Sequence, residues 1–185
     1  MQQEQLLEEF RNIGAIKEGH FQYHFGQHGS LYVDHWTILR RPSLIKKLTL
    51  FLADAFSCRG EKVEVVVGPK DGGGHVAMRI AEHLTYLRGL AGSTHEVLWG
   101  AASECSDSTF GFRLEENKLI EGKNVLIVDD VVTSGKSLLD VGMIVRGAGG
   151  KIVGVGVIWC RGTGVEQKLL RLGIKRFYPL LEYIL

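Results

Sequence analysis

The sequence predicts an α/β protein, a parallel sheet with helices on both faces behind a small N-terminal segment. Three observations support this. From residue 63 onward, short apolar runs alternate with longer segments whose apolar residues recur at helical spacing. The clearest run, Val125-Leu126-Ile127-Val128, is continuously apolar, the pattern of a strand buried on both faces. The most unusual residues follow the ends of such runs, where open α/β sheets collect ligands.

The elements can be justified in order. Residues 2–13 read as a helix with Leu6, Leu7, Phe10 and Ile13 on one face. Residues 19–34 are rich in aromatics and glycines and suit irregular strands or a hairpin. Pro42 opens a second helix, with Leu44, Ile45, Leu48, Phe51, Leu52 and Phe56 as its apolar stripe. Strands are then expected at 63–67, 96–99, 124–129, 152–159 and 176–178. Helices are expected at 75–87, 137–146 and 165–172, with a long loop over 100–117. No repeat, low-complexity tract or linker divides the chain, so residues 1–185 are expected to form a single domain.

The formal net charge of +1 gives no global attraction to nucleic acid or anionic membranes, so any anion site must be local. Residues 1–12 are acidic and amphipathic, unlike a targeting peptide, and no apolar run approaches the length of a membrane span. Cys58, Cys105 and Cys160 are scattered and odd in number, which fits reduced thiols and gives no zinc spacing. The expectation is a soluble cytoplasmic protein with neither a nucleic-acid nor a membrane partner.

Two segments carry chemistry. The apolar run at 125–128 ends in Asp129-Asp130, and Val131, Val132, Thr133, Ser134, Gly135, Lys136 and Ser137 follow into a helix. Paired carboxylates accept hydrogen bonds from sugar hydroxyls or hold a hydrated magnesium ion. A small-residue loop at a helix start offers backbone N–H groups and hydroxyls to a phosphate. Together they describe a site for a sugar phosphate. Gly135-Lys136-Ser137 also matches the end of a P-loop, but Asp130 stands where that motif requires its first glycine, which argues against a nucleoside-triphosphate site. The second segment, Gly68-Pro69-Lys70-Asp71-Gly72-Gly73-Gly74, follows a strand and precedes a helix. Its consecutive glycines let backbone donors approach an anion closely.

Residues 125–137 resemble the thirteen-residue phosphoribosyl-pyrophosphate signature of the type I phosphoribosyltransferases. The resemblance implies their fold, with a parallel sheet flanked by helices and a small hood contributed here mainly by about residues 14–40. It also implies that Asp129 and Asp130 meet the ribose hydroxyls and associated Mg2+, and that the loop from Val131 to Ser137 grips the 5′-phosphate. Residues 68–74 are similar to the family's pyrophosphate loop, with Lys70, Asp71, Gly72 and Gly73 beside the leaving group. A solvated loop lysine is an equally good account of Lys70.

Within the family the chain is most similar to the orotate phosphoribosyltransferases. Arg161 follows the strand ending Ile158-Trp159-Cys160, where those enzymes place an arginine on the base carboxylate, and a planar fork suits that group. By the same resemblance Thr133 touches the base, Tyr32 stacks on it, and His24 lies beside it. His24 stands where many members have lysine, and Gln27 where they commonly have arginine. The expected lid, residues 100–112, holds no Lys, Arg or His, which leaves Arg113 as the nearest cation for catalysis. His20, His24 and His28 recur every four residues, but the surrounding glycines and aromatics oppose a helical metal face.

The resulting expectation is transfer of a ribosyl 5-phosphate from phosphoribosyl pyrophosphate to a nucleobase such as orotate, with Mg2+, by a homodimer. Two rivals stand beside it. One is the same chemistry on a purine or another base. The other is a non-catalytic phosphoribosyl-pyrophosphate-binding regulator, which the cation-free lid favours.

Overall fold

The computed structural model describes residues 3–22, 28–57, 62–104, 110–112 and 114–182. Helix α1 (Gln3–Asn12) leads into an antiparallel hairpin of β1 (Ile16–Gln22) and β2 (His28–Val33), followed by α2 (His35–Leu39) and α3 (Pro42–Ser57). The remainder is β3 (Val65–Pro69), α4 (Gly72–Leu90), β4 (Leu98–Glu104), β5 (Phe110–Gly111), α5 (Leu114–Ile120), β6 (Asn124–Val132), α6 (Lys136–Gly147), β7 (Lys151–Cys160), α7 (Val165–Arg171) and β8 (Phe177–Glu182).

These strands form a six-stranded sheet ordered β5-β4-β3-β6-β7-β8. All neighbours are parallel except β4 and β5. The expected α/β architecture is present. From β3 the chain builds outward to β4 and β5, then returns to add β6, β7 and β8 on the other side. The order therefore reverses between β3 and β6, and the crevice beyond their carboxyl ends is the topological switch point.

Period-two alternation divides the strand residues between two apolar cores. Val66, Leu126 and Val128 join Leu48, Leu52, Phe56, Val76 and Ile80 on one face. Val65, Val67, Val125 and Ile127 join Leu138, Val141, Val145 and Leu169 on the other. Helix α1 closes the first core, its Phe10 ring stacked on Trp159 of β7 at 5.6 Å between centroids. Helix α3 approaches β7 so closely that a Cβ at Gly154 would lie 2.5 Å from the Phe56 ring.

Several elements differ from the sequence expectation. Strand β4 continues to Glu104, since Gly68 and Pro69 of β3 offer pairing partners to Ala101 and Ala102. The expected loop over 100–117 is therefore strand at its start and carries β5 and α5 later. Helix α2 was not expected; the Asp34 carboxylate caps it by accepting from the Thr37 N–H at 3.3 Å. Helix α4 begins at Gly72, so the consecutive glycines form its first turn and not a free loop.

Candidate functional site

Strand β6 outruns β3. Their pairing ends at Val67 opposite Ile127, which leaves Asp129 and Asp130 beyond it, over the turn from β3 into α4. That turn has no side chains where the acids arrive. A Cβ at Gly72 would sit 2.3 Å from Asp130 Oδ2, and one at Gly73 would sit 3.0 Å from Asp129 Oδ1. At Gly68 a Cβ would meet the Gly73 carbonyl oxygen at 2.4 Å. The two segments singled out from sequence are thus in direct contact, and glycine is what lets the turn and the acids pack together.

Both acids are buried, with 7% and 9% of their surface exposed. The Asp130 N–H donates to Asp129 Oδ1 at 2.9 Å, and the Val131 N–H donates to Asp130 Oδ1 at 2.8 Å. Asp130 Oδ2 is buried with no hydrogen-bond partner among the described residues. Burial, and then the adjacent Asp130 charge, push the Asp129 carboxyl well above its ordinary value. A buried pair with an orphaned oxygen is costly until a cation or a set of hydroxyls reaches it. The donor set therefore fits a hydrated magnesium ion or a ribose diol. No group of three or more His, Cys, Asp or Glu side chains suited to a metal occurs among the described residues.

Asp71 is the N-cap of α4 and takes φ 71°, ψ −111°, a left-handed conformation that costs a non-glycine residue roughly 1–3 kcal/mol. The turn is tied to β4 by the Lys70 N–H, which donates to the Ala102 carbonyl at 2.7 Å, while the Lys70 and Asp71 side chains are exposed.

Beyond Val132 the chain turns through exposed Thr133 and Ser134 to Gly135, whose φ of 78° makes the left-handed N-cap of α6. Two neighbours brace this loop. The Lys168 ammonium of α7 donates to the Ser134 carbonyl at 2.8 Å, and the Arg161 N–H donates to the Val132 carbonyl at 2.8 Å. Gly162 lies against the loop so tightly that a Cβ there would fall 1.5 Å from the Thr133 carbonyl oxygen. Half-buried Arg161 is therefore carried to the edge of the loop, beside Thr133. The Lys136 ammonium pairs with Asp140 one turn along its own helix at 2.7 Å, and Ser137 is half-buried in the first turn of α6.

The remaining expected residues divide into two groups. Tyr32 lies on β2, 39% exposed, its ring 5.5 Å from that of Phe21 and 6.0 Å from the Lys17 ammonium. These described contacts stay within the hairpin and do not reach the acids. His24 and Arg113 lie outside the described residues, as do Cys58 and Cys105. Cys160 is a buried free thiol whose ionisation burial pushes up. His20 and His28 face each other across the hairpin with ring nitrogens 2.9 Å apart.

Sequence reasoning passed over Gly162 and the pair Trp36 and His75. The signal for each was adjacency, Gly162 to Arg161 and His75 to the glycine turn. Trp36 had no local signal, because only folding of α2 over α4 brings its ring 6.2 Å from that of His75.

Residues 35–170 match the family model described as phosphoribosyl transferase domain. The chain belongs to this family. The orotate phosphoribosyltransferase of Desulforamulus reducens is 32% identical, across 97% of this chain and 89% of the relative. The fold is shared with Mycobacterium tuberculosis H37Rv orotate phosphoribosyltransferase in complex with inorganic phosphate, with a TM-score of 0.70 and 22% identity over 96% of this chain and 94% of the other. The same enzyme in complex with 5-phospho-α-D-ribosyl 1-diphosphate aligns at a TM-score of 0.62 and 22% identity, over 82% of this chain and 80% of that one.

Proposed function

We propose that this phosphoribosyltransferase joins the ribosyl 5-phosphate group of phosphoribosyl pyrophosphate to a ring nitrogen of orotate, giving orotidine 5′-monophosphate and pyrophosphate. The observation that carries the reading is the packing of the Asp130 carboxylate against Gly72 at the switch point. It brings a diol-binding acid pair and a turn of backbone donors together beside one phosphate loop. The 32% identical orotate phosphoribosyltransferase supports the choice of base.

Each expected residue has a role in this reaction. Asp129 and Asp130 accept hydrogen bonds from the ribose hydroxyls. The loop 131–137 holds the 5′-phosphate with backbone N–H groups at the start of α6 and with the Thr133, Ser134 and Ser137 hydroxyls. The turn formed by Lys70, Asp71, Gly72 and Gly73 receives the pyrophosphate. Arg161 offers its guanidinium to the orotate carboxylate, with Tyr32 and His24 on the base side and Arg113 as the cation next to the lid. As the C1–O bond loosens, positive charge grows on the ribose and negative charge on pyrophosphate, so these groups act by positioning and electrostatics with no covalent nucleophile. Asp129 and Asp130 would hold Mg2+, through water or the ribose hydroxyls, and the ion would supply further neutralisation of the pyrophosphate.

A homodimer is part of the proposal, supported by Met78, Tyr86 and Leu90 of α4 and Trp99 of β4, which leave large apolar surfaces exposed. A cytoplasmic setting accords with the free Cys160 thiol; among the described residues no helix is long and apolar enough to cross a membrane.

The test is a panel of bases incubated with phosphoribosyl pyrophosphate and magnesium, scored by pyrophosphate release. Release with orotate alone is expected. Release with a purine instead would reassign the base. Tight phosphoribosyl pyrophosphate binding with no release for any base would support the regulator reading, which the absence of Lys, Arg and His over residues 100–112 favours.

A further inference from the structure

His75 stands in the first turn of α4, directly after the three glycines. Its Nδ1 lies 2.6 Å from the Asp71 carbonyl oxygen. A carbonyl oxygen only accepts, so Nδ1 carries a proton and the neutral ring keeps its lone pair on Nε2. The ring is therefore locked to the turn by one nitrogen, while no described residue bonds the other. The residue that locks it, Asp71, is the one non-glycine residue with positive φ among the described residues. A strained turn that fixes an exposed imidazole is a pattern of functional sites. Trp36 meets the ring edge-on at 79°, and the Arg40 guanidinium lies 5.8 Å from the Trp36 ring. The Trp36 indole thus has both the His75 ring and the Arg40 guanidinium as neighbours.

We propose that His75 is a pyrophosphate-binding residue, which in its protonated form donates from Nε2 to the leaving group and supplies the cation that residues 100–112 lack. The inference rests on the phosphoribosyltransferase reading of the site. His75 itself transfers no proton. The C1–O bond breaks with its electron pair leaving on pyrophosphate, the base nitrogen forms the new bond to C1 and gives its proton to solvent, and the imidazolium offers a hydrogen bond and a positive charge to the departing oxygens. The Asp71 carbonyl keeps the ring in place in both protonation states, because Nδ1–H is the donor in each.

On its own element His75 is flanked by Lys70 and Asp71 of the turn and by Arg79, paired with Glu82, one turn along α4; on α2, His35 and Arg40 lie against Trp36, whose ring meets the imidazole. All of them remain in a variant changed only at position 75. The comparison of wild type with such a variant therefore isolates the imidazole.

The experiment is calorimetric titration of magnesium pyrophosphate, and separately of phosphoribosyl pyrophosphate, into the full-length protein and its His75→Gln, His75→Ala and His75→Lys variants from pH 6 to 8. At pH 6, His75→Gln and His75→Ala should bind pyrophosphate about tenfold more weakly than wild type, the scale of one charge-assisted hydrogen bond. His75→Lys should recover most of the loss. Equal affinities in wild type and His75→Gln at every pH, with both ligands bound, would overturn the assignment and leave the phosphoribosyltransferase reading intact. A wild type that binds neither ligand would remove that reading and this one with it.

Discussion

The Cα of Gly72 lies against the carboxylate of Asp130, with space for hydrogen and none for a methyl group, since a Cβ would sit 2.3 Å from Oδ2. Position 72 is therefore a constraint on the acid as much as on its own turn. Gly72→Ala should rotate or displace the Asp130 side chain, and overpacking of this kind costs about 1–3 kcal/mol. The expected outcome is a folded protein with a melting temperature lowered by several degrees and at least tenfold weaker phosphoribosyl pyrophosphate binding. Thermal melts with calorimetric titration measure both. Unchanged binding in the variant would separate the glycine from the site.

Asp129 makes stability depend on pH in a direction that can be worked out. Its carboxyl titrates above the ordinary 3.8 in the folded chain, so the folded state holds that proton more tightly than the unfolded state does. The associated stabilisation is complete below 3.8 and disappears as pH rises through the raised value. Asp129→Asn lacks this dependence. The ligand-free variant should therefore gain melting temperature relative to wild type as pH is raised from 4 to 8, while phosphoribosyl pyrophosphate affinity falls at least tenfold. A difference in melting temperature that stays constant with pH would refute the raised titration.

Gly162 braces the phosphate loop through backbone alone. A Cβ there would overlap the Thr133 carbonyl oxygen at 1.5 Å, and neither backbone can rotate away as a side chain could. Gly162→Ala should shift residues 133–135 and reduce phosphoribosyl pyrophosphate binding more than Gly72→Ala does. Gly14, which has nothing within 4 Å of its Cβ position, is the control for an unrelated glycine; its φ of 74° predicts a stability cost with unchanged binding. Calorimetry on the matched pair checks the contrast.

Arg161 should select the base and leave the sugar phosphate alone. Arg161→Ala is expected to raise KM for orotate at least tenfold, the scale of a lost charge-assisted contact, with phosphoribosyl pyrophosphate affinity nearly unchanged. Steady-state kinetics with each substrate varied in turn will decide it. Equal damage to both substrates would show that the residue supports the loop through Val132 and Thr133.

Two parts of this protein were legible in its linear order, because each is carried by neighbouring residues. Apolar periodicity located the strands and the principal helices, since which face of a strand or helix is buried repeats with the local geometry of the backbone. Asp129-Asp130 with the following loop, and Gly68 to Gly74, announced sugar-phosphate chemistry, because the groups that must act together lie within a few residues of one another. Long-range relationships carry no such record. That β4 runs on to Glu104 depends on β3 lying alongside it, and that Gly72 and Gly73 must be glycine depends on Asp129 and Asp130 arriving from a strand more than fifty residues later. The contact of Gly162 with Thr133 arises only when turns from two crossovers pack at one end of the sheet, and that of Trp36 with His75 only when α2 folds over α4. The sequence by itself determined the fold class and the kind of ligand. Tertiary structure decided which glycines must stay glycines and which imidazole is fixed beside the site, because steric exclusion and burial are properties of neighbours in space.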